Sequence, residues 1–465
     1  MPREIITLQI GQCGNQIGGR MWDLILREHA AHFQSKKNQS PDLLYDDPLS
    51  TFFKWDYVGK VKSNLSSHLP DIRARAVLVD MEEGVLHSLL KSEIGGLFNK
   101  DQQFISDVSG AGNNWAHGHE VYGPQYHDEV LDKVRREAEE CDSLQSFFLL
   151  HSLGGGTGSG LGSYIVKVLH DEFPEIYTFT TCVFPSKDDD VVTSPYNSIL
   201  SLNELTQHSD CVLPLENQAL YDMCQLVNSL EKKKDVVRSI SGEDSKPFDQ
   251  MNDIAASILT NLTSSMRFEG SLNVDLNEIT MNLVPYPKLK FLLSSLSPFV
   301  VPKDVHLPPR RMDQMFKDVL SRDYQLLKCD PIHHKYLSCG LILRGQQANI
   351  SDINRNIAKM KSSMDMIYWN QEGFKVGLCH VAPHNQPYSL LCLANNCCIG
   401  AVFDEMEARC KKLFRKNFYL HHYTQYMEKS AISEALENAR SLVEEYTTLQ
   451  NKTEEVQIPR FIPEF

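Results

Sequence analysis

A chain of 465 residues is too long for one ordinary hydrophobic core, so it divides into two or three packed units. Hydrophobic residues at 42% and charged residues at 23% describe an ordinary globular protein, and no apolar run approaches the roughly 20 residues that cross a bilayer. The 46 basic and 60 acidic residues leave a formal charge of −14, which excludes general binding to nucleic acid or to an anionic membrane.

The chain runs from Met1, Pro2, Arg3 and Glu4 straight into a strand over 5–10, leaving no room for the apolar core of a signal peptide. A cytosolic or nuclear location is expected. Ile17, Met21, Leu24 and Ile25 then recur on one helical face. The turn between strand and helix, Gly11-Gln12-Cys13-Gly14-Asn15-Gln16, offers backbone amides that can bracket an anion. After an extended loop over about 34–71, a strand over 76–79 ends in Asp80, Glu82 and Glu83. Carboxylates there suit Mg²⁺, which prefers hard oxygen ligands and keeps much of its water, although solvated loop carboxylates carry the same signature. The segment Gly110-Ala111-Gly112-Asn113-Asn114 reads as a second nest of amides or as a simple turn.

A strand over 147–150 feeds the loop Gly154-Gly155-Gly156-Thr157-Gly158-Ser159-Gly160, after which Leu161, Tyr164, Ile165, Val168 and Leu169 follow helical spacing. A strand over 177–184 leads into an acidic loop. This alternation is the signature of βαβ units around a mostly parallel, Rossmann-like sheet, whose ligands sit at the carboxyl ends of the strands. Residues 231–235 and 239–246 are polar and read as a solvated insertion ahead of a core helix over 248–266. Short strands and the turns Pro285-Tyr286-Pro287 and Pro308-Pro309 mark an α+β intermediate unit up to about residue 400. Two amphipathic surface helices, over 403–416 and 432–450, close the chain. The expected division is 1–247, 248–400 and 401–465. Twelve cysteines without a CxxC pair support reduced, mostly buried thiols rather than zinc ligands or disulfides.

Five glycines within seven residues, set between a strand and a helix, allow close backbone approach and aim N–H groups at an anion. Isolated glycine pairs usually serve helix packing, but this run in this context points to phosphate. The loop is not a Walker A sequence, since no Lys follows, and it fits G-x-G-x-x-G in no register, which weakens a dinucleotide dehydrogenase reading.

In order, GQCGNQIG, VDMEEGV, SGAGNNWA, GGGTGSG, SPYN, RFEGSLNVDLNEI and NLVPYP resemble the phosphate and sugar loops of the tubulin superfamily, and FKVG, LHHYT and VEEYTTLQ extend the likeness over nearly the whole chain. SPYNSIL, PPRRMDQMF, WNQEG and the absence of a long acidic tail look most like the epsilon branch. The resemblance implies bound GTP or GDP with Mg²⁺. It assigns Gln12, Cys13 and Gln16 to the nucleotide, Asp80 and Glu82 to the metal and γ-phosphate, and Ala111, Gly112 and Asn113 to the phosphates. Ser152, Gly155, Gly156, Thr157 and Gly158 complete the cradle; Asp190 lies near the ribose, and Asn217 and Asn252 read the guanine edge. Phe248 replaces a stacking tyrosine and keeps the aromatic face, although its position at a helix start also suits a core residue. Glu278 matches the acidic residue that one subunit inserts beside its neighbour's nucleotide, where a carboxylate can orient water and accept its proton.

Two departures stand out: Ser194 replaces a glutamate that contacts the ribose in alpha- and beta-tubulins, and the segment over about 225–246 is longer than theirs. The implied setting is cytoplasmic and cytoskeletal, at centrosomes, centrioles or basal bodies, in assembling or stabilising compound microtubules. The implied partners are other tubulins, the delta form among them, and centriolar proteins. Two readings stay open: a GTPase completed in trans by a neighbour, and a nucleotide-bound structural adaptor or cap with negligible hydrolysis. A metabolic Rossmann enzyme lacks a catalytic His, Cys or Lys constellation.

Overall fold

A computed structural model describes residues 3–37, 49–55, 72–186, 191–232, 247–298, 311–345 and 350–452. Asp190, most of the loop over 34–71, the greater part of the insertion over 225–246 and the segment after 452 lie outside the described residues.

The first sheet is built from β1 (Glu4–Ile10), β2 (Ala76–Asp80), β3 (Phe104–Ser106), β4 (Leu144–Ser152), β5 (Tyr177–Phe184) and β6 (Cys211–Glu216). All pairings are parallel, in the order β3-β2-β1-β4-β5-β6. Parallel strands are covered on both faces, and these are apolar on both: Ile6, Leu8, Phe147 and Leu149 enter one core, while Ile5, Phe148 and Leu150 enter the other. The order reverses between β1 and β4, so their carboxyl ends open a crevice at the topological switch point.

On one face lie α1 (Gly11–Lys37) and α6 (Asn217–Lys232), contributing Met21, Trp22, Ile25, Leu220 and Met223 to the core. The other face carries α3 (Gly123–Glu139), α4 (Gly162–Glu172) and α5 (Ser194–His208), with Val134, Ile165, Leu169, Ile199 and Leu202 turned inward. A short helix, α2 (Glu83–Lys91), follows β2. In α1 the apolar stripe is as expected except that Leu24 is only half-buried at its margin.

The central helix is shorter than its apolar pattern predicts: α7 spans Pro247–Leu262, and a separate turn follows at Ser264–Arg267. The Thr263-Ser264 pair explains the break, because Thr263 Oγ1 donates to Leu259 O at 2.8 Å and Ser264 Oγ to Asn261 O at 2.8 Å, offering the backbone local partners that compete with the helix. Next come α8 (Leu276–Leu283), β7 (Leu293–Ser297), α9 (Met312–Asp318), β8 (Lys335–Arg344), α10 (Ile350–Lys361), β9 (Asp365–Met366), β10 (Phe374–Cys379) and β11 (Ser389–Asn396). In this mixed sheet β8 pairs in parallel with β9 and β10 on one side and antiparallel with β11 on the other, and β11 pairs with β7.

The two sheets are joined by backbone. Val212 of β6 forms a parallel bridge to Phe291, with Val212 N donating to Lys290 O at 2.9 Å and Leu292 N to Val212 O at 2.8 Å. The C-terminal helices α11 (Ile399–Arg415) and α12 (Lys429–Asn451) lie over α5 and place Phe403, Ile432, Leu442 and Tyr446 in the same core as the first sheet. Each begins three or four residues ahead of its apolar pattern. All twelve cysteines are free thiols, ten of them buried. Among the described residues no helix is long and apolar enough to cross a membrane.

Candidate nucleotide site

The switch-point crevice is where the glycines are structurally required. Gly11, directly after β1, has φ +72, and a Cβ there would lie 2.9 Å from Gly158 N, so the first turn and the glycine loop touch through bare backbone. A Cβ on Gly156 would meet Ala111 Cβ at 2.8 Å, and one on Gly160 would meet Trp115 O at 2.3 Å. The glycine loop is thereby interlocked with the segment after β3. It closes as a wide turn, Thr157–Leu161, with Gly160 N donating to Gly156 O at 2.8 Å before α4 begins.

Two glycines are different. Gly112, at φ +56, faces open space, and a Cβ on Gly155 would find nothing nearer than Asn113 Oδ1 at 3.8 Å. Asn113 follows Gly112 in the same left-handed region, at φ 54. Successive amides in such a turn form a concave anion nest, and the room above Gly112 and Gly155 is what a phosphate group needs.

Asp80 ends β2 beside this cradle. It is buried, its Oδ1 accepts from Glu82 N at 3.3 Å, and its Oδ2 has no protein partner. Burial pushes its carboxyl up to about 6. Glu82 is exposed, and a Cβ on Gly110 would lie 2.5 Å from its Oε1, so its carboxylate leans over the segment that carries Gly112. A buried carboxylate with a bare oxygen beside an anion nest fits a hydrated divalent cation.

A family model described as the Tubulin/FtsZ family GTPase domain matches residues 4–225, and the tubulin C-terminal domain model matches 287–408. Over 464 residues the chain is 50% identical to the tubulin epsilon chain of Homo sapiens, covering 96% of each. It is 48% identical to the tubulin epsilon chain of Mus musculus, covering 98% of each, and 34% identical to the tubulin beta chain of Porphyra purpurea, covering 97% of this chain and 94% of that one. The chain belongs to the tubulin family.

A tubulin GTPase domain binds guanine nucleotide. Gln12, Cys13 and Gln16 occupy the first turns of α1, with Gln12 exposed and the other two half-buried. Burial raises the Cys13 thiol to about 12, so it is a neutral packing group and not a nucleophile. Ser152 closes β4, with Gly158 packed on its hydroxyl, and Asn217 starts α6 where β6 ends. Phe248 is 61% exposed, which removes the core reading of this residue. Asn252 lies one turn further along α7, and Arg20 of α1 holds that helix start through Asp249 at 3.4 Å and Asp253 at 3.6 Å. Ser194 is buried and its hydroxyl has no protein partner.

Glu278 lies at the other end of the sheet. Asp275 caps α8 by accepting from Glu278 N at 2.7 Å, and Arg3, directly ahead of β1, pairs with Asp275 at 3.8 Å. That contact sets α8 at the amino edge of β1, a full strand of roughly 23 Å from the cradle. Glu278 is therefore outside its own subunit's crevice. Its carboxylate is half-exposed and bound to Lys375 Nζ of β10 at 2.7 Å.

Sequence reasoning did not single out Asn197. This fully buried side chain on α5 donates to Asn113 O and to Gly154 O, both at 2.9 Å, and accepts from Trp115 N at 2.9 Å. It binds the nest to the glycine loop. The SPYN motif contains it, but only tertiary structure shows which carbonyls it meets.

Proposed function

We propose that the chain is a GTP-binding tubulin of the epsilon type that works at centrioles or basal bodies, assembling or stabilising compound microtubules with other tubulins, such as the delta form, and with centriolar proteins. The carrying observation is the interlocked glycine cradle with room above Gly112 and Gly155, next to the bare carboxylate oxygen of Asp80.

In this reading the amides of Gly155, Gly156, Thr157 and Gly158 and of Ala111, Gly112 and Asn113 hold the phosphates, with Ser152, Gln12, Cys13 and Gln16 alongside. Phe248 stacks on the base, Asn217 and Asn252 read its edge, and Asp190 completes the ribose contact. Asp80 and Glu82 hold Mg²⁺, which when bound offsets phosphate charge. Domains 1–247 and 248–400 then present opposite edges to successive subunits, with 401–465 over the outer surface.

Glu278 is positioned to serve a neighbour's nucleotide, orienting water and taking up its proton. The Lys375 ammonium on that carboxylate favours a second reading, in which the nucleotide holds the fold and interface but is scarcely hydrolysed. One titration separates the two. If hydrolysis is completed in trans, GTP turnover per subunit rises with protein concentration and falls at least tenfold in Glu278→Ala while GTP binding is retained. Low turnover independent of concentration and unaffected by Glu278→Ala supports the adaptor. Absence of guanine nucleotide from the purified protein rejects both.

A further inference from the structure

The segment over 418–426, between α11 and α12, is tied to the cradle more closely than its surface position requires. Tyr423 is fully buried, packs on Tyr196 with ring centroids 5.1 Å apart, and donates its phenol proton to Asn197 Oδ1 at 2.5 Å. Asn114 Nδ2 donates to His422 O at 2.9 Å, and Tyr196 OH donates to Phe418 O at 3.0 Å. Thr193 Oγ1 adds a bond to Asn113 O at 3.1 Å, and that carbonyl also accepts from Asn197. The Asn113 peptide, the Gly154 peptide and the C-terminal segment thus meet at one amide side chain.

Asn197 has all its capacity in use, with both N–H donors on cradle carbonyls and its oxygen shared between Trp115 N and the Tyr423 phenol. Losing the phenol leaves the oxygen one partner short and frees the amide to rotate off the two carbonyls. The segment itself is under constraint: Asn417 and Tyr419 have φ of 53 and 55, a left-handed conformation that a tyrosine holds only when its surroundings impose it. Phe418, Tyr419 and Tyr426 are exposed on its outer side.

We propose that Tyr423 is a positioning residue for the nucleotide site, acting through Asn197, so that nucleotide occupancy and the docking of the 418–426 segment are thermodynamically linked. The inference rests on the cradle reading above. Neither side chain needs to touch nucleotide: Asn197 sets the peptide orientation at Asn113 and Gly154, and Tyr423 sets Asn197. Linkage is reciprocal, so nucleotide tightens the segment and anything that lifts the segment loosens nucleotide.

The test uses the full chain loaded with a fluorescent GTP analogue, following release by stopped flow and amide hydrogen exchange of residues 418–426 with and without saturating GTP and Mg²⁺. In the unaltered protein GTP slows exchange in the segment. Tyr423→Phe keeps the ring, loses the bond to Asn197 Oδ1 and the longer contact to Thr193 O at 3.4 Å, releases nucleotide about fivefold faster and loses the GTP-dependent protection. Asn197→Asp keeps the shape but sets a carboxylate against two carbonyls, and it speeds release further.

Tyr446→Phe is the control, since this buried tyrosine of α12 packs on Phe403 at 6.1 Å and makes no cradle bond. Its release rate matches the unaltered protein. Equal acceleration in Tyr423→Phe and Tyr446→Phe, or unchanged release in both Tyr423→Phe and Asn197→Asp, overturns the positioning role and leaves the nucleotide site standing. Failure of the unaltered chain to bind the analogue overturns the cradle reading, and this inference with it.

Discussion

His151 shows how a single side chain under the cradle sets a pH limit. It lies on β4, fully buried, one residue before Ser152, and a Cβ on Gly162 would contact its ring at 3.2 Å. Burial pulls its pKa down from 6.5 to about 4, so the folded protein keeps the ring neutral where the unfolded chain already binds a proton. With the folded value below the unfolded one, the stability difference is absent above pH 6.5 and grows as pH falls toward 4. A shift of this size is worth about 3 kcal/mol in all. Asp80, whose carboxyl is raised to about 6, adds stability as pH falls over the same range, so the His151 contribution is read as a difference: in urea unfolding between pH 7.5 and 4.5, His151→Gln is expected to lose less stability, or gain more, than the unaltered protein. His29 and His208 are also held below their ordinary value by burial, so their share of the loss persists in the variant. An identical slope in both proteins rules out His151 as the source.

At the scale of elements, the glycine loop separates positions where a side chain would clash with the fold from positions with open space, which the proposed function gives to the ligand. A methyl at Gly160 would press on the Trp115 carbonyl at 2.3 Å, whereas at Gly155 its nearest neighbour is 3.8 Å away. Gly160→Ala is therefore expected to destabilise by about 1–3 kcal/mol, as overpacked sites do. Gly155→Ala keeps the melting temperature of the nucleotide-free protein and loses GTP affinity at least tenfold, because the methyl fills the phosphate space. Melting curves with and without GTP check both, and comparable destabilisation in the two variants contradicts the division. The sequence disclosed this loop because strand, glycine run and helix are local and ordered. It disclosed the strands for the same reason, since an apolar run such as that of β5 is buried on both faces whatever surrounds it. The break in α7 was hidden because Thr and Ser side chains that end a helix look like helix interior in an apolar pattern. The Asn197 clamp and the Glu278–Lys375 pair were hidden because each joins elements distant in the chain, and no spacing rule reaches that far. The exposure of Phe248 was hidden because an aromatic residue at a helix start looks the same in sequence whether it faces the core or the solvent.

At the scale of the molecule, the intermediate stretch keeps a cluster of its own around Tyr336, Leu341, Ile353 and Leu390, whereas the C-terminal stretch has no separate core. Ile432, Ala435, Leu442 and Tyr446 of α12 share one buried cluster with Phe403 of α11, Leu202 of α5, Phe291 and the strand residues Ile6, Leu8 and Leu149. Each large apolar side chain buried there contributes roughly 1.5–3 kcal/mol, so withdrawing α12 forfeits about 10 kcal/mol. Whole domains are stable by only about 5–15 kcal/mol. Deleting residues 429–451 is therefore expected to unfold the nucleotide domain as well, although it removes no residue of the cradle. Loss of near-ultraviolet dichroism, dye binding to exposed apolar surface and loss of GTP binding should appear together. The shared core, with the backbone bridge from Val212 to Phe291, couples the first sheet to the C-terminal helices, so GTP is expected to raise the unfolding temperature of both together. A truncated chain that stays folded and binds GTP would instead mean that the first sheet is stable without its C-terminal cover. Tyr423 would then lose its leverage, because a cradle that stands without α12 has no structural reason to respond to the segment leading into it.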